Sequence, residues 1–140
     1  MANIGLTART ITLADGTVSG LVGSRMYPAA LPQNATLPAI VYHIISTVHN
    51  QRLGGNVDVS MATVQMDCYA STNAGSIALA EAVRLALQMK NRGNNSGQFI
   101  NDIVCSSGEK TATDPVSAGS DRRRYITSLD FDINYRVAVT

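Results

Sequence analysis

At 140 residues with 45% hydrophobic but only 15% charged side chains, the chain has the size of one domain with one core, yet it is short of the roughly 25% charge of an average soluble domain. That shortage predicts that part of its surface is covered by other subunits. Eleven basic and ten acidic residues leave a net charge of +1, which excludes a broad field for gathering nucleic acid or anionic lipid.

The start, MANIGLTARTITLADG, has no basic segment followed by an apolar run, and nowhere do about 18 apolar residues occur in succession, so the protein is expected to be cytosolic when made. Residues 4–22 place Ile4, Leu6, Ile11, Leu13, Val18, Leu21 and Val22 around Ala14-Asp15-Gly16-Thr17, a weak helical pattern broken by a turn. Gly20-Leu21-Val22-Gly23-Ser24 has neither a phosphate-loop lysine nor dinucleotide-type glycine spacing and reads as a helix terminus. Pro28, Pro32 and Pro38 punctuate residues 25–38, which should run as an extended connector.

AIVYHIIST, residues 39–47, is β-branched and aromatic after a proline and nearly continuous in apolar residues, which predicts a strand covered on both faces. Residues 51–58, with Gly54-Gly55-Asn56, suit a hairpin loop. Across 59–70, Ala62, Val64, Met66, Cys68 and Ala70 alternate with Thr63, Gln65, Asp67 and Tyr69. That pattern is a strand with one buried and one polar face.

Ser71-Thr72-Asn73 offers N-caps for a helix over about residues 74–90. Its polar stripe, Glu81, Arg84 and Gln88, is narrow, so the helix should pack on the sheet with one side and on another element or subunit with a second. Residues 91–97 read as an exposed loop, 99–105 as a third strand, and 106–121 as a long polar segment. From 123 to 139 the odd positions Tyr125, Thr127, Leu129, Phe131, Ile133, Tyr135, Val137 and Val139 alternate with Ile126, Ser128, Asp130, Asp132, Asn134 and Arg136, the pattern of a long antiparallel strand. The order predicts an α+β fold, an antiparallel β-sheet with helices packed on one face. The loop around Gly54-Gly55, residues 91–97 and residues 106–121 are expected to be mobile, and trypsin should cut first near Arg52, Arg92 or Lys110. Early cleavage within 123–136 would instead put the flexible region in the predicted core.

Candidate chemistry is sparse. Cys68 and Cys105 match no metal spacing and lie in apolar stretches, as buried free thiols do. His43 and His49 have no carboxylate at ligand spacing and read as structural. Asp130 and Asp132 share a strand face and could be drawn as paired carboxylates or hard-metal ligands, but charges at i and i+2 are what solubility or subunit contact produces. Arg122-Arg123-Arg124, beside Asp121, is either a solvated strand start or a site for acidic groups of a neighbour or phosphate. No nucleophile, base and orienting group can be assembled, and no cofactor or metal is implied.

Taken in order, several segments resemble the bacteriophage tail completion, or tail terminator, family: Leu21-Val22-Gly23-Ser24-Arg25-Met26-Tyr27-Pro28, Leu31-Pro32-Gln33, Leu37-Pro38-Ala39-Ile40-Val41-Tyr42, Val64-Gln65-Met66-Asp67-Cys68-Tyr69-Ala70, Leu79-Ala80-Glu81-Ala82-Val83-Arg84, Arg123-Arg124-Tyr125-Ile126, and Asp130-Phe131-Asp132-Ile133-Asn134-Tyr135. The resemblance runs from about residue 18 onward; before it, Ala14-Asp15-Gly16 interrupts what should be a continuous helix. It implies a non-enzymatic virion protein of long-tailed phages, made in the host cytoplasm, that caps the tail tube, stops its polymerisation and presents the surface that joins a filled head. It further implies a ring, commonly a hexamer, contacting tail-tube protein on one side and head-completion or connector protein on the other, with DNA passing through without specific binding. Asp130, Asp132 and Arg136, with Arg123 and Arg124, are the candidate subunit-interface or channel-facing residues. A head-tail connector or minor tail component would use the same ring logic, and a small-ligand-binding or enzymatic α+β domain is the alternative from another class.

Overall fold

A computed structural model describes residues 4–32, 35–51, 57–88, 93–95, 98–106, 110–114 and 124–138. The helices are α1 (Ile4–Ala14), α2 (Gly16–Val22) and α3 (Asn73–Leu87), and the strands are β1 (Met26–Pro28), β2 (Ala39–Gln51), β3 (Val57–Ala70), β4 (Gly93–Asn95), β5 (Gln98–Cys105), β6 (Lys110–Asp114) and β7 (Arg124–Ala138). They form one seven-stranded sheet in the order β1-β2-β3-β7-β5-β4, with β6 also on β7. Every pairing is antiparallel except β1 with β2. The α+β architecture expected from the sequence is therefore the one found.

The two long alternating segments form the centre. β3 lies along β7 from Val57↔Ala138 to Ala70↔Tyr125 without a register shift. This pairs the even positions of β3 with the odd positions of β7, so Ala62, Val64, Met66 and Cys68 meet Ile133, Phe131, Leu129 and Thr127 on one buried face. Strand periodicity requires the remaining positions to share the other side. The helices cover only the first side, termed here the inner face. Helix α3 buries Leu79, Ala80, Val83, Ala86 and Leu87 there, and a hydrogen bond between the Ser76 and Thr127 hydroxyls (2.9 Å) ties it to β7.

As its narrow polar stripe foretold, α3 also packs on α1 and α2. Helix α1 contributes Ile4, Ala8 and Ile11 to the same core cluster and α2 contributes Val18 and Val22. The break between them is a capped restart: Asp15 has extended backbone, and its Oδ1 accepts from the amides of Thr17 (2.9 Å) and Val18 (3.2 Å). A carboxylate so placed satisfies donors that the first helical turn leaves without partners. Gly23 closes α2 at φ 60, a conformation that glycine adopts without a Cβ penalty.

Helix α3 starts at Thr72, whose Oγ1 accepts from the Gly75 amide at 3.0 Å. A Cβ on Gly75 would come 2.8 Å from that oxygen and 3.3 Å from the Ala70 Cβ. Gly75→Ala should therefore break the cap and cost about 1 kcal/mol, the usual worth of such a residue. Denaturant melts of Gly75→Ala, Thr72→Ala and the double variant check this: if both changes act on one bond, the double loses less than the sum. Further along the exposed side, Arg84 Nε donates to Glu81 Oε2 (3.0 Å), and this hydrogen bond holds the Glu81 carboxyl below its usual range.

Several boundaries differ from those read in the sequence. The proline-rich connector contains β1, which pairs parallel with Ile40–Tyr42, and residues 91–97 and 106–121 contain β4 and β6. These strands are three to five residues long, too short for periodicity to separate from loop. Residues 39–47 are covered on both faces only as far as Tyr42; Ile44 and Ile45 are exposed. Of the thiols, Cys68 is buried but Cys105 is only half-buried. Arg52, Arg92, Gly54-Gly55 and residues 115–121 lie outside the described residues.

Candidate assembly surface

The second side of the sheet, the outer face, carries the candidate residues. Among the described residues no helix packs there, and the side chains along β3 and β7 are mostly half-buried. Their burial comes from neighbours on adjacent strands, which satisfy one another by cross-strand hydrogen bonds. Asp67 is the hub. Its Oδ1 accepts from Ser128 Oγ on β7 (2.6 Å) and from Gln65 Nε2 (2.8 Å), and its Oδ2 lies 3.2 Å from His43 Nε2 on β2. Three strands are thus cross-linked through one carboxylate.

Further along the same face Asp132 Oδ1 accepts from Thr63 Oγ1 (2.8 Å), and Asn134 Nδ2 donates to Asp102 Oδ1 (2.6 Å). The cations sit at the two ends of β7. The Arg136 guanidinium lies over the Phe99 ring at 3.8 Å from its centroid, and that of Arg124 over Tyr69 at 5.8 Å; such stacking offers a cation an attractive ring face. The structure thus brings Asp130, Asp132, Arg136 and Arg124 onto one strand, with Asp130 and Asp132 central. Arg123 lies outside the described residues.

Asp67 was not among the sequence candidates although three side chains converge on its carboxylate. Its partners lie 24 and 61 residues away as well as two, and only the register makes them neighbours. Replacing it with alanine should cost about 1–3 kcal/mol, because three polar side chains lose their partner in a half-dry setting. Thermal melts of Asp67→Ala and Asp67→Asn would show whether the acceptor oxygen matters, since the amide keeps one. His43 and His49 have the structural roles expected of them: His43 joins the Asp67 hub, and His49 Nδ1 lies 2.6 Å from Ser60 Oγ.

Two other arginines are committed to the backbone. Arg9 donates to the carbonyls of Met26 (3.1 Å) and Ser24 (3.2 Å), and Arg25 to those of Pro38 (3.0 Å) and Leu21 (3.1 Å). They clamp α1, α2 and the start of β2 together. A hollow of about 260 Å³ is lined by Asn73, Thr111, Ala112 and Tyr125, below the roughly 300–1,000 Å³ of ligand sites. Among the described residues no carboxylate, imidazole or thiol lines it.

The fold recurs in a solved particle. A chain of the "Virion of native gene transfer agent (GTA) particle" superposes with a TM-score of 0.67 at 16% identity, covering 96% of this chain and 95% of that one. The class so defined is an α+β, sheet-and-helix subunit fold of a kind that occurs in a virion. No curated protein matches in sequence. The model of the family "Tail completion protein gp17" matches residues 9–101, about two thirds of the chain, and the chain belongs to that family. It is a structural protein of the phage tail.

Proposed function

We propose that the protein caps the phage tail tube, ends its polymerisation and provides the surface at which a filled head joins, acting as a ring of identical subunits, a hexamer by family resemblance. Membership of the tail completion family across residues 9–101 carries this reading. The sheet supports it: its inner face is spent on the protein's own helices, and its outer face presents an ordered polar surface built from Asp67, Asp130, Asp132 and their partners. Such a face suits contact with a neighbouring subunit or a water-filled channel better than it suits burial in a monomer core.

The remaining partners follow from the role: tail-tube protein below the ring, head-completion or connector protein above it, and DNA in the channel. The near-neutral charge, with Arg9 and Arg25 turned to backbone carbonyls, favours DNA that slides over DNA that is held, because strong binding needs several phosphates neutralised at once. The test is assembly itself. Purified protein imaged and sedimented with and without tail tubes should form rings, and particles made without it should show tails of uncontrolled length that fail to join heads. Protein that stays monomeric even with tubes present would overturn the reading.

A further inference from the structure

The sheet ends in two open edges at the same height. On one side β2 is 13 residues long, but β1 covers only Ile40–Tyr42, so the outward backbone groups from His43 onward have no strand beside them among the described residues. On the other side β5 and β6 lie end to end along β7, and β4 covers only Gln98–Ile100 of β5. Among the described residues this leaves Asn101–Val104 with no strand beside them. Following the register across the sheet, Ile44 to Val48 sit level with Phe131 to Asn134 of β7, and so do Asp102 to Cys105.

Isolated proteins protect such edges with charge, proline or a covering element. Residues 43–51 contain no Lys, Arg, Asp, Glu or Pro. They expose Ile44 (44%), Ile45 (55%) and Val48 (47%) instead, and Val104 on the opposite edge is 43% exposed. Each edge also carries a register shift at nearly this height, between Ile44 and Ser46 and between Ile100 and Asp102, and such bulges are features of sheet rims.

Resting on the ring reading, we infer that the sheet continues from one subunit to the next, the β2 edge of one copy pairing with the β5 edge of its neighbour. The occupant is a second copy because the same chain carries both halves of the joint. Strand direction agrees: β2, β3, β7 and β5 alternate, so a neighbour rotated about an axis roughly along the strands brings β2 antiparallel to β5. The contact is heterologous, one edge to a different edge, which is the kind that closes rings. Val48 and Val104 share the outer face and would stand diagonally across the joint, within reach of one another.

The test uses full-length Val48→Lys and Val104→Glu, both at exposed positions, with thermal melts to confirm folding and Leu85→Lys on the helical layer as a control. Each edge variant alone should lose rings at a concentration where wild type and the control keep them. An equimolar mixture of the two edge variants should recover rings, because half the joints then pair Lys with Glu and half pair Val with Val. Hydrogen exchange should show amides in 43–51 and 101–105 becoming protected on assembly. Rings that persist in both variants with these amides unprotected would overturn the edge joint and leave the ring reading standing. Loss of rings in Val48→Lys but not in Val104→Glu would overturn the β2–β5 joint, because the β2 edge would then meet a surface other than β5, and wild-type protein that never forms rings would remove both readings.

Discussion

Phe131→Ala is expected to lower the unfolding free energy by about 3–5 kcal/mol, the range for emptying an aromatic site in a packed core. Phe131 is fully buried at the middle of β7 and faces Val64 on β3 and Cys105 on β5, so its ring bridges three strands beneath the helices. Neighbours fixed on two sides by sheet hydrogen bonds can collapse only partly into the space, which keeps the cost near the top of the range. A chain of this length has a total stability on the order of 7–20 kcal/mol at 0.05–0.15 kcal/mol per residue. The variant should therefore still fold but melt well below wild type. Leu129→Ala should behave alike, at about 2–5 kcal/mol. Denaturant titration measures both, and a loss under 1 kcal/mol would mean that the centre of the sheet is not the centre of the core.

Asp132→Lys should have the opposite profile, with a small effect on folding and a large one on assembly. Its side chain is half-buried on the outer face and accepts one hydrogen bond, from Thr63; losing that bond costs about 0.5–1.5 kcal/mol. If the outer face meets a neighbouring subunit or lines the channel, the reversal turns attractive pairs into repulsive ones at close range, where the penalty reaches several kcal/mol. Sedimentation should then show rings lost while the melt barely moves, and tails supplied with this variant should not terminate or join heads. An Asp132→Lys protein that forms rings and completes tails would remove this face from the mechanism.

The pair of variants separates the two sides of one strand. Phe131 and Asp132 are adjacent in sequence, and the pleat alone sends one into the core and the other outward. That division was legible in residues 124–136 because an alternating pattern one turn of the pleat long repeats through the whole strand. The Asp15 cap was legible only as a break, because a carboxylate before Gly16-Thr17 suits a turn as well as a helix start. The stacking of Arg136 on Phe99 and of Arg124 on Tyr69 was not visible, since those rings come from other strands.

By itself the sequence determined the α+β class, the buried faces of β3 and β7, the two-sided packing of α3 and its start within Ser71-Thr72-Asn73, because these depend on side chains a few residues apart and on a fixed period. It also carried enough ordered motifs to point to the tail completion family. Only the tertiary structure decided that β1 joins parallel to β2, that β4 and β6 are strands, that Asp67 ties three strands together, and that among the described residues the sheet stops at two edges of equal height. Each of these is set by register between segments distant in the chain, where a strand three to five residues long gains its identity from the neighbour that satisfies its backbone rather than from its own side chains.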